Sequence, residues 1–139
     1  MPLNQTVAPH GSETILIVDI DPEARKLAAF MLAKQGYTIL EARNRADAVA
    51  LFEQRAADVH LVLLDARGRG CDLAQKLEQS RPDVRVLFLC AESGLASRMI
   101  VERKLPFLKK PFTMYDIASK VREVLDARRD KVMTAGSSI

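Results

Sequence analysis

The sequence predicts a single α/β domain, a parallel sheet with helices on both faces, in a chain of 139 residues. Two observations carry this expectation. Five apolar runs alternate with stretches whose apolar residues recur at helical spacing. The strongest runs are apolar almost throughout, the mark of strands covered on both faces and therefore paired in parallel.

Thr14 to Val18 is the first run, ending in Asp19-Ile20-Asp21-Pro22. Asp21 is a good N-cap and Pro22 a good first helical residue, so a helix starts here. Leu27, Ala28, Met31 and Leu32 give it an inner face, and Gly36 stops it. Tyr37 to Leu40 is a short second strand. Asn44 opens a second helix to about Arg55, with Ala46, Val49, Ala50 and Phe52 expected on its buried side. His60 to Leu64 is the third strand and delivers Asp65 at its end. Asp72 is placed to cap a short helix carrying Leu73 and Leu77, which Arg81-Pro82-Asp83 ends. Val84 to Cys90 is the fourth strand, and Ala91 to about Arg103 holds a helix that Gly94 interrupts. Pro106 to Leu108 is the fifth strand. Thr113 and Asp116 then make a capping-box start for a last helix with Met114, Ile117, Val121, Val124 and Leu125 facing inward.

Strands one, three and four are the most apolar and belong in the centre, whereas Tyr37 and Thr38 mark strand two as an edge. The result is a flavodoxin-like (βα)5 three-layer sandwich with a five-stranded parallel sheet of order 2-1-3-4-5 and a crevice beside strands one and three. Residues 1–12 read as a disordered leader, 13–128 as the domain and 129–139 as a polar tail. The net charge of +3 is spread along the chain with no aromatic-interleaved basic stripe, so no nucleic-acid binding is expected. No apolar run approaches the ~18 residues of a membrane span. The two cysteines, Cys71 and Cys90, make neither a disulfide framework nor a metal set, which suits a cytoplasmic protein.

Chemistry gathers at the strand ends. Asp19 and Asp21 follow the first strand, Asp65 the third, Cys90 closes the fourth and Lys110 follows the fifth. Paired carboxylates collect a hard divalent cation, the cation and a lysine neutralise a transferring phosphoryl group, and one carboxylate serves as nucleophile. Each acid alone reads as a solvated loop residue. All of them on one sheet edge read as a site.

The chain from Thr14 to about Leu125 resembles the receiver domain of two-component response regulators. The resemblance rests on Ile15-Leu16-Ile17-Val18-Asp19, Leu61-Val62-Leu63-Leu64-Asp65, Val86-Leu87-Phe88-Leu89 and Phe107-Leu108-Lys109-Lys110-Pro111-Phe112, in the right order and frame. The last helix, with Lys120-Val121-Arg122-Glu123-Val124-Leu125, is most similar to receivers at the C-terminus of hybrid sensor histidine kinases. The resemblance implies that Asp65 accepts a phosphoryl group from a histidine kinase or histidine phosphotransfer protein. Mg²⁺ would be held by Asp19, Asp65 and the backbone carbonyl of Arg67, with Asp21 a poor substitute ligand. Lys110, Cys90 and Ala91 would contact the phosphoryl oxygens, and Cys90 and Phe107 fall at the switch positions. Pro111 follows Lys110 where a cis peptide is common. The fourth helix, fifth strand and last helix would form the output face and a possible homodimer contact.

The sequence departs from the family pattern at several positions. Ile20 replaces the second acid after the first strand, so weaker Mg²⁺ binding is expected. Cys90 replaces a hydroxyl residue, and a thiol is a weaker donor, so switching should be blunted. Gly68-Arg69 stands where Met-Pro is common, and Leu73 where Gly is. The interval from Cys90 to Lys110 is about two residues short, which predicts a short or displaced fourth helix. Two alternatives follow: a degenerate pseudo-receiver acting through phosphorylation-independent contacts, or a small haloacid-dehalogenase-like phosphatase with Asp19 as nucleophile and Asp21 as general acid.

Overall fold

A computed structural model of the protein describes residues 8–55, 57–67, 70–91 and 95–127, without the side chains of 95–97. The expected tail, the first seven residues of the leader, Gly68-Arg69 and Gly94 lie outside the described residues. The chain runs β1 (Thr14–Val18), α1 (Pro22–Ala33), β2 (Thr38–Ala42), α2 (Arg45–Arg55), β3 (Val59–Asp65), α3 (Gly70–Ser80), β4 (Arg85–Cys90), α4 (Leu95–Glu102), β5 (Phe107–Lys109) and α5 (Met114–Asp126). All strand pairs are parallel and the order is β2-β1-β3-β4-β5.

Side chains alternate across a strand, so each strand serves two cores. Leu16, Val18, Val62, Leu64, Val86, Phe88 and Cys90 face one way and pack with Ala48 and Phe52 of α2, Leu73 and Leu77 of α3 and Ile100 of α4. Ile15, Ile17, Leu61, Leu63, Leu87 and Leu89 face the other way, against Ala28 and Leu32 of α1 and Ile117, Val121 and Leu125 of α5. Burying such a side chain stabilises by roughly 1.5–3 kcal/mol, which is why the central strands tolerate almost no polar residue before their ends.

Local signals set the helix ends. The Asp21 carboxylate accepts from the Glu23 N–H at 3.0 Å with Pro22 as first helical residue. Gly36 takes φ 104° and lets the chain leave α1 through the left-handed region. Asn44 Oδ1 accepts from the Asp47 N–H at 2.8 Å to open α2. At α5 the capping box is complete, with Thr113 Oγ1 accepting from Asp116 N–H and Asp116 Oδ2 from Thr113 N–H.

Three expectations are corrected. Leu27 is 52% exposed, because the face of α1 that meets the sheet is Arg25, Ala28, Ala29 and Leu32. Ala46 and Ala50 face solvent, since α2 buries Ala48 and Phe52, half a turn away. Helix α3 begins at Gly70, so Asp72 lies in its first turn rather than before it. Ahead of β1, Gly11 N–H donates to the Gln35 carbonyl at 3.0 Å, and Arg122 Nη1 to the His10 carbonyl at 3.4 Å. Helix α4, at eight residues, is short as expected.

Candidate functional site

Register brings the two acids together. Val18 lies opposite Leu64 in the β1–β3 pair, so the residues that follow, Asp19 and Asp65, meet at the carboxyl edge of the sheet. Lys110 reaches the same edge from the far side. Its backbone N–H donates to the Cys90 carbonyl at 2.8 Å, and its Lys110–Pro111 peptide bond is cis. The ammonium Nζ lies 3.3 Å from Asp19 Oδ2 and 3.3 Å from Asp65 Oδ2, bridging the two carboxylates.

A second cation closes on the pair. Arg67 Nε and Nη2 donate to Asp65 Oδ2 at 2.9 and 2.6 Å, and Nη2 also reaches Asp19 Oδ1 at 3.3 Å. The Arg67 backbone N–H donates to Asp65 Oδ1 at 2.9 Å. Both Asp65 oxygens are thus engaged, in charge-assisted bonds of the stronger kind. The acids are almost fully buried, at 2% exposure for Asp19 and 8% for Asp65.

Burial works against ionisation at both acids, with different outcomes. At Asp65 the Arg67 side-chain and backbone donors and the charge of Lys110 outweigh burial and hold the carboxyl below its ordinary range. At Asp19 burial dominates, and the nearby Asp65 charge adds to it, so the carboxyl is pushed up despite the Asp21 N–H and Lys110. Of the two, Asp65 is the more readily ionised.

The backbone under the acids is fixed by a buried arginine. Arg25, on the inner face of α1, donates from Nη1 to the Asp19 carbonyl at 2.9 Å and from Nε to Glu41 Oε1 of β2 at 3.1 Å. Gly70 lets the chain pass close beneath Asp65, since a Cβ there would stand 2.7 Å from the Asp65 carbonyl oxygen. Beside the acids a cavity of about 280 Å³ opens, walled by Val18, Ile20, Leu64 and Leu73 with Arg45 and Arg67 at its edge.

The remaining expected residues are placed as follows. Asp21 spends its carboxylate on the helix cap, while its own N–H donates to Asp19 Oδ1 at 3.0 Å. Ile20 is 68% exposed. The Cys90 side chain is buried in the cluster shared with α3 and α4, Phe107 is half-buried against that cluster, and Ala91 is exposed. The side chains of Arg67 and Arg25 were not among the expected site residues. For Arg25 a signal exists, a lone Arg on an otherwise apolar helix face, whereas the polar turn that holds Arg67 gives none.

The donor chemistry fits an oxygen-seeking cation in its minimal form. Two buried carboxylates already converge on shared cationic donors, yet among the described residues no set of three Asp, Glu, His or Cys side chains gathers around a common point. With the lysine at the same carboxyl edge of a doubly wound parallel sheet, two buried acids and two cations form one compact polar site.

Comparison with known proteins gives the family. Residues 15–122 match the response regulator receiver domain, and the chain belongs to that family. It is 30% identical over 121 residues to the sensor kinase CckA of Brucella abortus, covering 84% of this chain and 13% of that protein. It is 28% identical over 129 residues to the probable transcriptional regulatory protein TcrX of Mycobacterium tuberculosis, covering 89% and 53%. The chain therefore spans between about an eighth and about half of the length of these relatives. Among solved structures, the receiver domain of the hybrid histidine kinase CckA superposes with TM-score 0.67 at 26% identity, covering 81% of this chain and 99% of that one. A receiver domain from Clostridium thermocellum superposes with TM-score 0.74 at 19% identity, covering 87% and 98%, which shows the shared fold. The family match is to the receiver domain, and Asp21, the general acid of the phosphatase alternative, has its carboxylate on the cap of α1.

Proposed function

We propose that the domain is the phosphoacceptor of a two-component phosphorelay, with Asp65 as the acceptor. The observation that carries the reading is the convergence of Asp65, Asp19 and Lys110 at one sheet edge, with the two acids sharing the Lys110 ammonium at 3.3 Å. In the reaction an Asp65 oxygen attacks the phosphorus of a phosphohistidine on a kinase or phosphotransfer protein. The P–N bond breaks, its electron pair returns to the imidazole, and an acyl phosphate forms on Asp65. Lys110 pairs with the phosphoryl oxygens and lowers the cost of gathering negative charge beside Asp19. Mg²⁺ held by Asp19, Asp65 and the Arg67 carbonyl would supply further neutralisation of the phosphoryl oxygens. Cys90 and Ala91 would border the phosphoryl group, and Cys90 with Phe107 would relay its presence to the face formed by α4, β5 and α5, where a partner or a second copy would dock. A cytoplasmic setting follows from the chemistry of the donor, and no helix among the described residues is long and apolar enough to cross a membrane.

A small phosphodonor such as acetyl phosphate, added with Mg²⁺, tests this. The expected result is one phosphoryl group per chain by intact mass, absent in Asp65→Asn. A native protein that stays unlabelled, while its Ile20→Asp variant labels readily, would favour the second reading, a pseudo-receiver acting through constitutive contacts. The ion pair between Arg67 and Asp65 is the observation on the side of that reading.

A further inference from the structure

We infer that the Arg67 guanidinium is a built-in counter-cation of the acid pair, competing with the divalent cation for Asp19 and Asp65. The geometry is that of a clamp. Two of its nitrogens, Nε and Nη2, lie on Asp65 Oδ2 at 2.9 and 2.6 Å, and Nη2 spans to Asp19 Oδ1 at 3.3 Å. A planar fork of this kind matches a carboxylate better than an ammonium does.

Charge arithmetic gives the clamp its meaning. Asp19 and Asp65 carry two negative charges when ionised, and Lys110 and Arg67 carry two positive charges, so the cluster is neutral without any ion. A third carboxylate at position 20, with no arginine on the pair, would leave a deficit of two charges, which one divalent cation fills. Ile20 in place of an acid removes one negative charge, and Arg67 adds one positive charge. The two features together change the local charge by the amount one divalent cation supplies. The uncharged Ile20 and the Arg67 guanidinium thus act in the same direction, each lowering the demand of the acid pair for an ion.

The clamp can open. The Arg67 side chain is 52% exposed, whereas the acids it holds are nearly closed to solvent, so its guanidinium can swing into water without breaking the core. Its backbone N–H, bonded to Asp65 Oδ1, stays in place when it does. Ion entry and access to Asp65 Oδ2 both require that opening, so Arg67 sets the threshold at which the site takes an ion.

The inference rests on Asp19 and Asp65 being the cation-holding acids, but its test needs no phosphodonor. ¹⁵N-labelled native protein and Arg67→Met are titrated with Mg²⁺, following the amides of residues 19–21 and 65–67 and the Arg67 Nε–H signal. The methionine keeps the stem and the backbone donor and removes the charge. The expected result is an apparent Mg²⁺ affinity about tenfold or more tighter in Arg67→Met, the loss of bonds worth at least 1.4 kcal/mol. In the native protein the Arg67 Nε–H signal should be protected without Mg²⁺ and lose protection as the ion binds. Arg67→Lys, with a charge but no fork, should fall between. Equal affinities in native and Arg67→Met protein overturn the inference, as does an absence of Mg²⁺ response in both. If Mg²⁺ tightens as expected yet Asp65 never labels, the phosphoacceptor reading fails and this one stands.

Discussion

Replacing Glu13 by Gln should lower stability at neutral pH, and the loss should vanish in acid. Glu13 precedes β1 and pairs with Arg122 of α5, Oε2 to Nη2 at 2.6 Å and Oε1 to Nη1 at 3.0 Å. Arg122 also donates to Tyr37 Oη at 3.2 Å and to both oxygens of Asp126, so one guanidinium ties α5 to the start of the sheet. The Arg122 hydrogen bonds outweigh burial and hold the Glu13 carboxyl at about 2 instead of 4.5. Taken at face value that shift corresponds to about 3 kcal/mol. Both side chains keep roughly a quarter of their surface in water, and solvent screening brings the expected effect to about 1–2 kcal/mol. The sign follows from the depressed value: the stabilisation is fully present above pH 4.5 and is lost as pH falls toward 2. Urea unfolding of native protein and Glu13→Gln, monitored by far-ultraviolet circular dichroism at several pH values, measures it. A gap between the two that stays constant from pH 6 to pH 2.5, or no gap at pH 7, would show that the Glu13–Arg122 pair does not stabilise the fold.

Three further outcomes are expected. Gly70→Ala forces a Cβ against the Asp65 carbonyl, costing about 1–3 kcal/mol in urea unfolding and shifting the Asp65 and Ala66 amide resonances. Arg25→Met leaves the Asp19 carbonyl and Glu41 without this donor, at about 1–3 kcal/mol, and should slow labelling of Asp65 without touching the acceptor. Ile117→Ala empties part of the α1–α5 core and should cost about 2–5 kcal/mol by the same assay, with the acid edge intact.

The parallel sheet was legible because its strands are buried on both faces and carry that fact in unbroken apolar runs. Register did the rest: once β1 and β3 are neighbours, Asp19 and Asp65 cannot avoid each other. Helix faces were harder to read. On α1 the strongest apolar residue of the central turns, Leu27, lies outside, and Arg25 lies inside, because Ala28 and Ala29 let the helix approach closely while Arg25 finds Glu41 and the Asp19 carbonyl. On α2, alanine carries too weak a preference to distinguish Ala48 from Ala46 and Ala50. The acids and lysine of the site could be read from strand ends, whereas Arg67 could not. An arginine in a polar turn gives no sequence signal of whether it points to water or back onto the acid two residues before it. The consequence is large, because that one rotamer decides whether the acid pair is neutralised from within.

The acceptor identity is tested most directly by trapping the acyl phosphate. Protein treated with a phosphodonor and Mg²⁺ is reduced with borohydride, which converts a phosphorylated aspartate to homoserine, and its peptides are sequenced by mass spectrometry. Homoserine is expected at position 65 and nowhere else. Homoserine at position 19, or none at either position in both native and Arg67→Met protein, would rule out Asp65 as the acceptor.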